Sequence, residues 1–226
     1  MTKPILTADG SHTLFNPKTG EHYHSTFGAI TESEHIFIRA GLDALPVSIN
    51  PVQILEVGLG TGLNALLAYR WAENHQRELD YFAVEAFPLG KQVVSELNYA
   101  DVLGVDTKIL PAIHNSRNKK VVLSDYFSIE FQHTTLQDLI FQPETYHLVF
   151  FDAFSPDAQP EMWTEACFEK IAKAMKQDGI LTTYSCKGTV KRALKATGFQ
   201  IEKLPGPPGK REFLRAVKPR PEGLGN

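Results

Sequence analysis

Three glycines, Gly58, Gly60 and Gly62, follow the apolar run Val52-Gln-Ile-Leu-Glu-Val and precede apolar residues at helical spacing over residues 63–71. A strand that turns through glycines into a helix opens a crevice at the carboxyl end of a sheet. Glycine there lets backbone approach a ligand where a Cβ would collide. A dinucleotide fingerprint would put its third glycine at position 63, which is Leu, and no Gly-Lys-Ser/Thr follows, so neither phosphate-cradling pattern is met. Two carboxylates stand where such a crevice could use them. Glu85 closes Leu79-Asp-Tyr-Phe-Ala-Val, at a strand end where a carboxylate can accept both ribose hydroxyls of a nucleoside. Asp152 closes Tyr146-His-Leu-Val-Phe-Phe and opens Ala153-Phe-Ser-Pro, with Pro-Glu-Met-Trp beginning at position 160. A carboxylate there can orient an amine through its N–H bonds, while Phe154 and Pro156 can wall a flat base. Alone, Glu85 reads as a solvated strand-end acid and Asp152 as a turn cap. The loop with both acids reads as a nucleoside-cofactor site.

Alternating strand and helix signals from residue 52 onward predict a doubly wound parallel sheet with helices on both faces. Strands are expected over 52–57, 79–85, 146–152 and 180–184, and helices over 63–71, 89–97, 160–175 and 189–197, the last closed by Gly198. Residues 119–135 break the rhythm and read as a small inserted β-hairpin. Residues 199–204 and 212–217 read as a C-terminal antiparallel hairpin across Pro205-Gly-Pro-Pro-Gly. The first 50 residues offer only an amphipathic helix over 32–42. One domain over 1–226 is expected, with 1–50 as an N-terminal segment on a Rossmann-like core over 51–226.

The pattern Glu56-x-Gly58-x-Gly60-x-Gly62 resembles motif I of class I S-adenosylmethionine-dependent methyltransferases, in which the loop wraps the methionine and ribose portions of the cofactor. Asp152-Ala-Phe-Ser-Pro, Pro160-Glu-Met-Trp163, Gly188-x-Val190-x-Arg192, Lys210-Arg211-Glu212 and Tyr23-His-Ser-x-x-Gly28-Ala-Ile-x-Glu32-Ser33 together resemble the methyltransferase half of the MnmC tRNA-modification family, whose stand-alone form is called MnmD. The resemblance spans nearly the whole chain. It implies S-adenosylmethionine as cofactor and tRNA as partner, with methylation of the aminomethyl nitrogen of 5-aminomethyl-2-thiouridine at the wobble position. It places Glu56, Gly58, Gly60, Thr61, Gly62, Asn64 and Glu85 at the cofactor, with Tyr23 and Glu32 nearby. Many class I enzymes bind the adenine amino group through an acid where Thr135 stands here, so Asp138 or backbone is expected to take that part. Bifunctional members add an FAD-dependent oxidase that frees the amine, which another protein would have to supply here.

Such an amine, with a pKa about that of Lys, ~10.4, is mostly protonated at neutral pH and is then no nucleophile. Asp152 is the expected catalytic residue, accepting an N–H bond, aligning the lone pair with the methyl group and helping remove the proton. Lys187, Lys191, Arg192, Lys210 and Arg211 are the expected phosphate contacts. Residues 187–226 carry a balance of +7 and the other 186 residues −10. A polyanion footprint and a solvated basic face both fit that asymmetry.

No run of apolar residues is long enough to span a membrane, no apolar signal core opens the chain, and only Cys167 and Cys186 occur among 226 residues, which together suggest a cytoplasmic protein. Cys167 reads as core and Cys186 as inert. His22, His24 and His35 lack a clear further ligand, so they read as hydrogen-bonding groups and no metal is expected. Trp163 is expected to pack the helix after the Asp152 loop. Two alternatives remain, a small-molecule N- or O-methyltransferase and a non-catalytic nucleoside- or RNA-binding module. The sequence leaves the oligomeric state open.

Overall fold

The computed structural model describes residues 3–220; residues 1–2 and 221–226, the ends of the expected domain and of its basic quarter, lie outside the described residues. Near-continuous apolar strands such as Val52–Val57 (β4) and Tyr146–Phe151 (β8) are buried on both faces, as a sheet covered on two sides requires. Around them an eight-stranded sheet runs β10-β11-β9-β8-β4-β5-β7-β6. Its remaining members are Leu79–Val84 (β5), Val121–Ser124 (β6), Phe127–Gln132 (β7), Met175–Thr183 (β9), Gln200–Pro205 (β10) and Glu212–Val217 (β11). Strands β9, β8, β4, β5 and β7 are mutually parallel, and β11 lies antiparallel between β9 and β10. Leu63–His75 (α2) packs with one core cluster, and Glu165–Ala174 (α6) and Gly188–Ala196 (α7) pack with the second, on the other face.

The chain leaves β4 towards β5 on one side and places β8 on the other, so strand order reverses beside β4 and a crevice forms there. Register then positions the site. Val57 pairs with Val84 and with Phe151, which sets Gly58, Glu85 and Asp152 at one level along the carboxyl ends.

Four expectations need correction. The hairpin over 119–135 exists, but it is no insertion: β7 pairs along its length with β5 as a parallel member of the main sheet, and only β6 is an antiparallel edge. The helix over 160–175 is two pieces. A single tight turn, Pro160–Trp163, ends at Thr164, whose extended backbone caps α6 and whose hydroxyl accepts from the Cys167 N–H at 3.3 Å. The helix over 32–42 starts earlier, at Ala29–Ser33 (α1), and continues as a wider π turn over Glu34–Arg39. The N-terminal segment also holds a small antiparallel sheet of Pro4–Leu6 (β1), His12–Asn16 (β2) and Glu21–His22 (β3). Three short helices, Lys91–Ser95 (α3), Tyr99–Leu103 (α4) and Ile109–His114 (α5), fill the span between β5 and β6.

Asp9 ties the N-terminal sheet to α1. Its carboxylate accepts from the Thr31 N–H at 2.8 Å, the Thr31 hydroxyl at 2.9 Å and the Ser11 N–H at 3.0 Å. Partial burial raises its pKa, but these bonds and those from the Ser11 and Thr7 hydroxyls outweigh it and bring the value down to about 2.

Candidate active site

A cavity of about 600 Å³ opens at the carboxyl ends of β4, β5 and β8, within the range of roughly 300–1,000 Å³ usual for small-molecule sites. The glycine loop forms its floor. Gly58 sits at φ +93°, and a Cβ there would lie 2.7 Å from the backbone oxygen of Asp152. Gly62, at φ +78°, caps the N-terminus of α2. The Gly60 N–H donates to Glu85 Oε2 at 2.8 Å and the Phe87 N–H to Oε1 at 2.7 Å, so both oxygens of Glu85 are oriented by backbone. Each keeps further lone-pair capacity towards the cavity. These features fit a nucleoside cofactor. The cradle has no room for side chains at Gly58, and an oriented carboxylate faces the space.

Two imidazoles, buried His24 and half-buried His114, hold the loop from beneath. His24 Nε2 lies 2.7 Å from Thr61 Oγ1, and His114 Nε2 lies 3.1 Å from the Thr61 carbonyl. Burial pushes the His24 pKa down to about 4, against the opposing charges of Glu32 and Asp9. The unfolded chain therefore takes up a proton below about pH 6.5 that the native state refuses until about pH 4. Stability should fall by about 3 kcal/mol from this group as pH drops across that window. Thermal melts of wild type and His24→Gln between pH 7 and 4 check this; the substitution should flatten that part of the acid sensitivity.

Beside the loop, Asp152 partly faces the cavity. Its Oδ2 accepts from Asn64 Nδ2 at 2.8 Å, and the same amide donates to Glu56 Oε1 at 3.0 Å. Burial pushes the Asp152 pKa up to about 7; the Glu32 charge adds to this, while the Asn64 bond and the Lys210 charge oppose it. Glu56 is held well above the usual carboxylate range by its full burial first and by the Asp152 charge second. One amide thus bridges a buried carboxyl whose pKa is raised and a second carboxyl poised near neutrality. Around them stand three rings. Tyr23 meets Phe154 edge to face at 4.9 Å, and the Tyr184 hydroxyl donates to the Ala153 carbonyl at 2.8 Å.

The chain is similar to several known proteins. Residues 109–219 match the family described as S-adenosyl-L-methionine-dependent methyltransferase. The chain is 29% identical, over 95% of its length, to the tRNA 5-methylaminomethyl-2-thiouridine biosynthesis bifunctional protein MnmC of Cupriavidus metallidurans, of which it covers 33%. It is 30% identical, over 93% of its length, to the protein of the same name from Burkholderia mallei, of which it covers 34%. The chain thus spans about a third of the length of these relatives. Its fold matches the crystal structure of MNMC2 from Aquifex aeolicus with a TM-score of 0.77 at 24% identity, covering 98% of this chain and 72% of that one. The spermidine synthase of Thermotoga maritima matches at a TM-score of 0.54 and 12% identity, over 92% of this chain and 68% of that one. The fold is that of class I methyltransferases, as the glycine spacing predicts.

Within the cavity, several site residues expected from sequence fall elsewhere. Gly58, Gly60, Thr61, Tyr23, Glu85, Asp152 and Phe154 line the cavity. Glu56 and Asn64 do not; both are buried beneath Asp152, where their polar atoms find each other. Glu32 does not line the cavity; it is buried beside Lys210 and accepts from the Ser25 N–H at 2.8 Å. Asp138 is exposed and accepts from the Thr135 hydroxyl at 2.6 Å; Thr135, Leu136 and Gln137 line the cavity in its place. Pro156 lies in the turn after Phe154, outside the wall. Among the basic candidates, Lys187 pairs with Asp157 and Lys210 with Glu32. Among the described residues Lys191, Arg192 and Arg211 carry no ion pair.

The sequence reading missed Tyr184 and Glu21. Glu21 on β3 accepts from the Ser155 N–H at 3.0 Å and from the Ser155 hydroxyl, tying the Asp152 loop to the N-terminal segment. An aromatic just beyond β9 was a readable signal for Tyr184; no local pattern announces Glu21. His35 Nε2 lies 2.8 Å from the Pro205 carbonyl, so hydrogen bonding describes it and His24. Trp163 packs against Phe151 and Phe168 under the Asp152 loop, and its indole donates to the Phe154 carbonyl at 2.8 Å. Cys167 is buried in the core, and burial pushes the thiol of Cys186 up, away from thiolate chemistry. Among the described residues no helix is long and apolar enough to cross a membrane.

Proposed function

We propose that this protein is an S-adenosylmethionine-dependent methyltransferase that acts in the cytoplasm on tRNA, methylating the nitrogen of an aminomethyl group on a wobble 2-thiouridine. The observation that carries the reading is Asp152, with its pKa at about 7, at the base of a slot walled by Tyr23, Phe154 and Tyr184. The relatives named above are proteins of tRNA 5-methylaminomethyl-2-thiouridine biosynthesis.

In this reading Glu85 takes the ribose hydroxyls, and Gly58 and Gly60 let the loop close on the nucleoside. Bound S-adenosylmethionine supplies a methyl group on a sulfonium that needs no further activation. The rings of Tyr23 and Phe154 hold the flat base. Asp152 accepts an N–H bond, aims the nitrogen lone pair at the methyl group, and takes the proton that the amine must lose. A carboxyl with a pKa near the working pH is well matched to that exchange. Most of the acceleration comes from holding two bound partners in line.

The test is incubation with methyl-labelled S-adenosylmethionine and tRNA carrying 5-aminomethyl-2-thiouridine, then nucleoside identification. Label in the methylaminomethyl nucleoside supports the reading. Label on small metabolites alone, or none, rejects it. Lys191, Arg192 and Arg211 are the proposed phosphate contacts. Neutralising all three should weaken tRNA binding and reduce the salt slope by roughly one unit for each phosphate no longer held. Binding isotherms between low and moderate salt measure this.

A further inference from the structure

Lys210 does not point its charge at solvent as a phosphate contact would. Its Nζ lies 3.1 Å from Glu32 Oε1, and the side chains are only 28% and 10% exposed respectively. The same ammonium sits 4.6 Å from the centre of the Tyr184 ring. That ring lines the cavity and is fixed through its hydroxyl to the carbonyl of Ala153, the neighbour of Asp152. Glu32 in turn is anchored by the Ser25 N–H. A built ion pair therefore stands against the acceptor end of the cavity, contributed by α1 and by the turn between β10 and β11.

We propose that Glu32 and Lys210 are a positioning pair for the acceptor nitrogen: their charges cancel, leaving Asp152 as the single carboxylate that meets an incoming ammonium and receives its proton. This rests on the amine reading given above. The chemistry explains why a pair is needed. A second unpaired carboxylate would hold the ammonium form, and a nitrogen so held has no lone pair to offer. An unopposed Lys210 would keep Asp152 ionised at lower pH, and the carboxylate would then be a weaker proton acceptor.

The titratable groups facing Asp152 are Glu56 on β4, Tyr81 on β5, Glu32 on α1, Tyr184 after β9, and Lys210. Glu32 pushes Asp152 up and Lys210 pushes it down. The pair is therefore testable by opposite signs. In Glu32→Gln, Lys210 acts alone and the Asp152 titration midpoint should fall by about one pH unit. In Lys210→Met, Glu32 acts alone and the midpoint should rise by about one pH unit. Lys210→Arg should stay near wild type.

Carboxyl 13C NMR of the full chain, with the Asp152 signal assigned by its loss in Asp152→Asn, reads these midpoints without any substrate. The pH profile of tRNA methylation should move the same way. Opposite shifts with rescue by Arg support the pair. Shifts of one sign, or none, overturn it, and Lys210→Met against Lys210→Arg decides alone if Glu32→Gln does not fold. A wild type that methylates no tRNA amine would reject the substrate reading, and the carboxyl titration would then decide the pair by itself.

Discussion

Replacing Asp152 with Asn is expected to lower turnover by about 10²–10⁴-fold while changing S-adenosylmethionine affinity by no more than about threefold. The substitution keeps the shape and an acceptor oxygen for Asn64 Nδ2, which now bonds Asp152 at 2.8 Å. It removes a cavity-lining carboxyl whose pKa lies at about 7, while Glu56 beneath it is buried and held well above the usual carboxylate range. Wild-type kcat/KM should rise with pH through about 7 as Asp152 ionises and becomes able to take a proton. That limb should vanish from the residual activity of the variant. Steady-state kinetics between pH 5.5 and pH 9, with calorimetry for the cofactor, separates the two effects. Equal losses in affinity and turnover would make Asp152 a structural cap.

Gly58→Ala is expected to abolish activity and weaken cofactor binding more than about tenfold. The residue sits at φ +93°, and its Cβ would come within 2.7 Å of the Asp152 oxygen and 3.1 Å of the Asp152 carbonyl carbon. Those atoms are backbone at the end of β8, in register with β4, so no side-chain rotation relieves the contact. The left-handed conformation itself costs a non-glycine residue about 1–2 kcal/mol. The collision adds to that and displaces Asp152, for a total on the order of 3 kcal/mol. Gly104→Ala is the control: φ is +66°, but nothing lies within 4 Å of its Cβ, so strain alone should appear there, about 1 kcal/mol. Denaturant melts and cofactor titrations of the two variants check the difference.

Strands β4, β5 and β8 are largely apolar runs, and the loop after β4 carries three glycines, so both the sheet and the cofactor end were readable from local pattern. The N-terminal sheet was not. Its strands are only three, five and two residues long, too short to show a period, and Asp9 joins them to α1 through partners 22 residues away. The β6–β7 hairpin misled for a related reason. Its local alternation is genuine, and only the parallel register with β5, nearly fifty residues earlier, makes β7 part of the main sheet. Charge type was the weakest guide. Lys210 and Arg211 are neighbours in sequence, yet one turns onto Glu32 and Tyr184 while the other is exposed. Likewise Glu56 belongs to the loop motif but lies under the floor, because its strand position points into the core beside Tyr81 and Asn64.

A crystal structure with S-adenosylhomocysteine, the demethylated product, asks most directly whether the loop and Asp152 form one reaction centre. The ribose hydroxyls should lie within hydrogen-bond distance of Glu85, and the sulfur should face the Asp152 carboxylate across the slot walled by Tyr23 and Phe154. A nucleoside bound away from Gly58 and Gly60, or a sulfur turned away from Asp152, would contradict it.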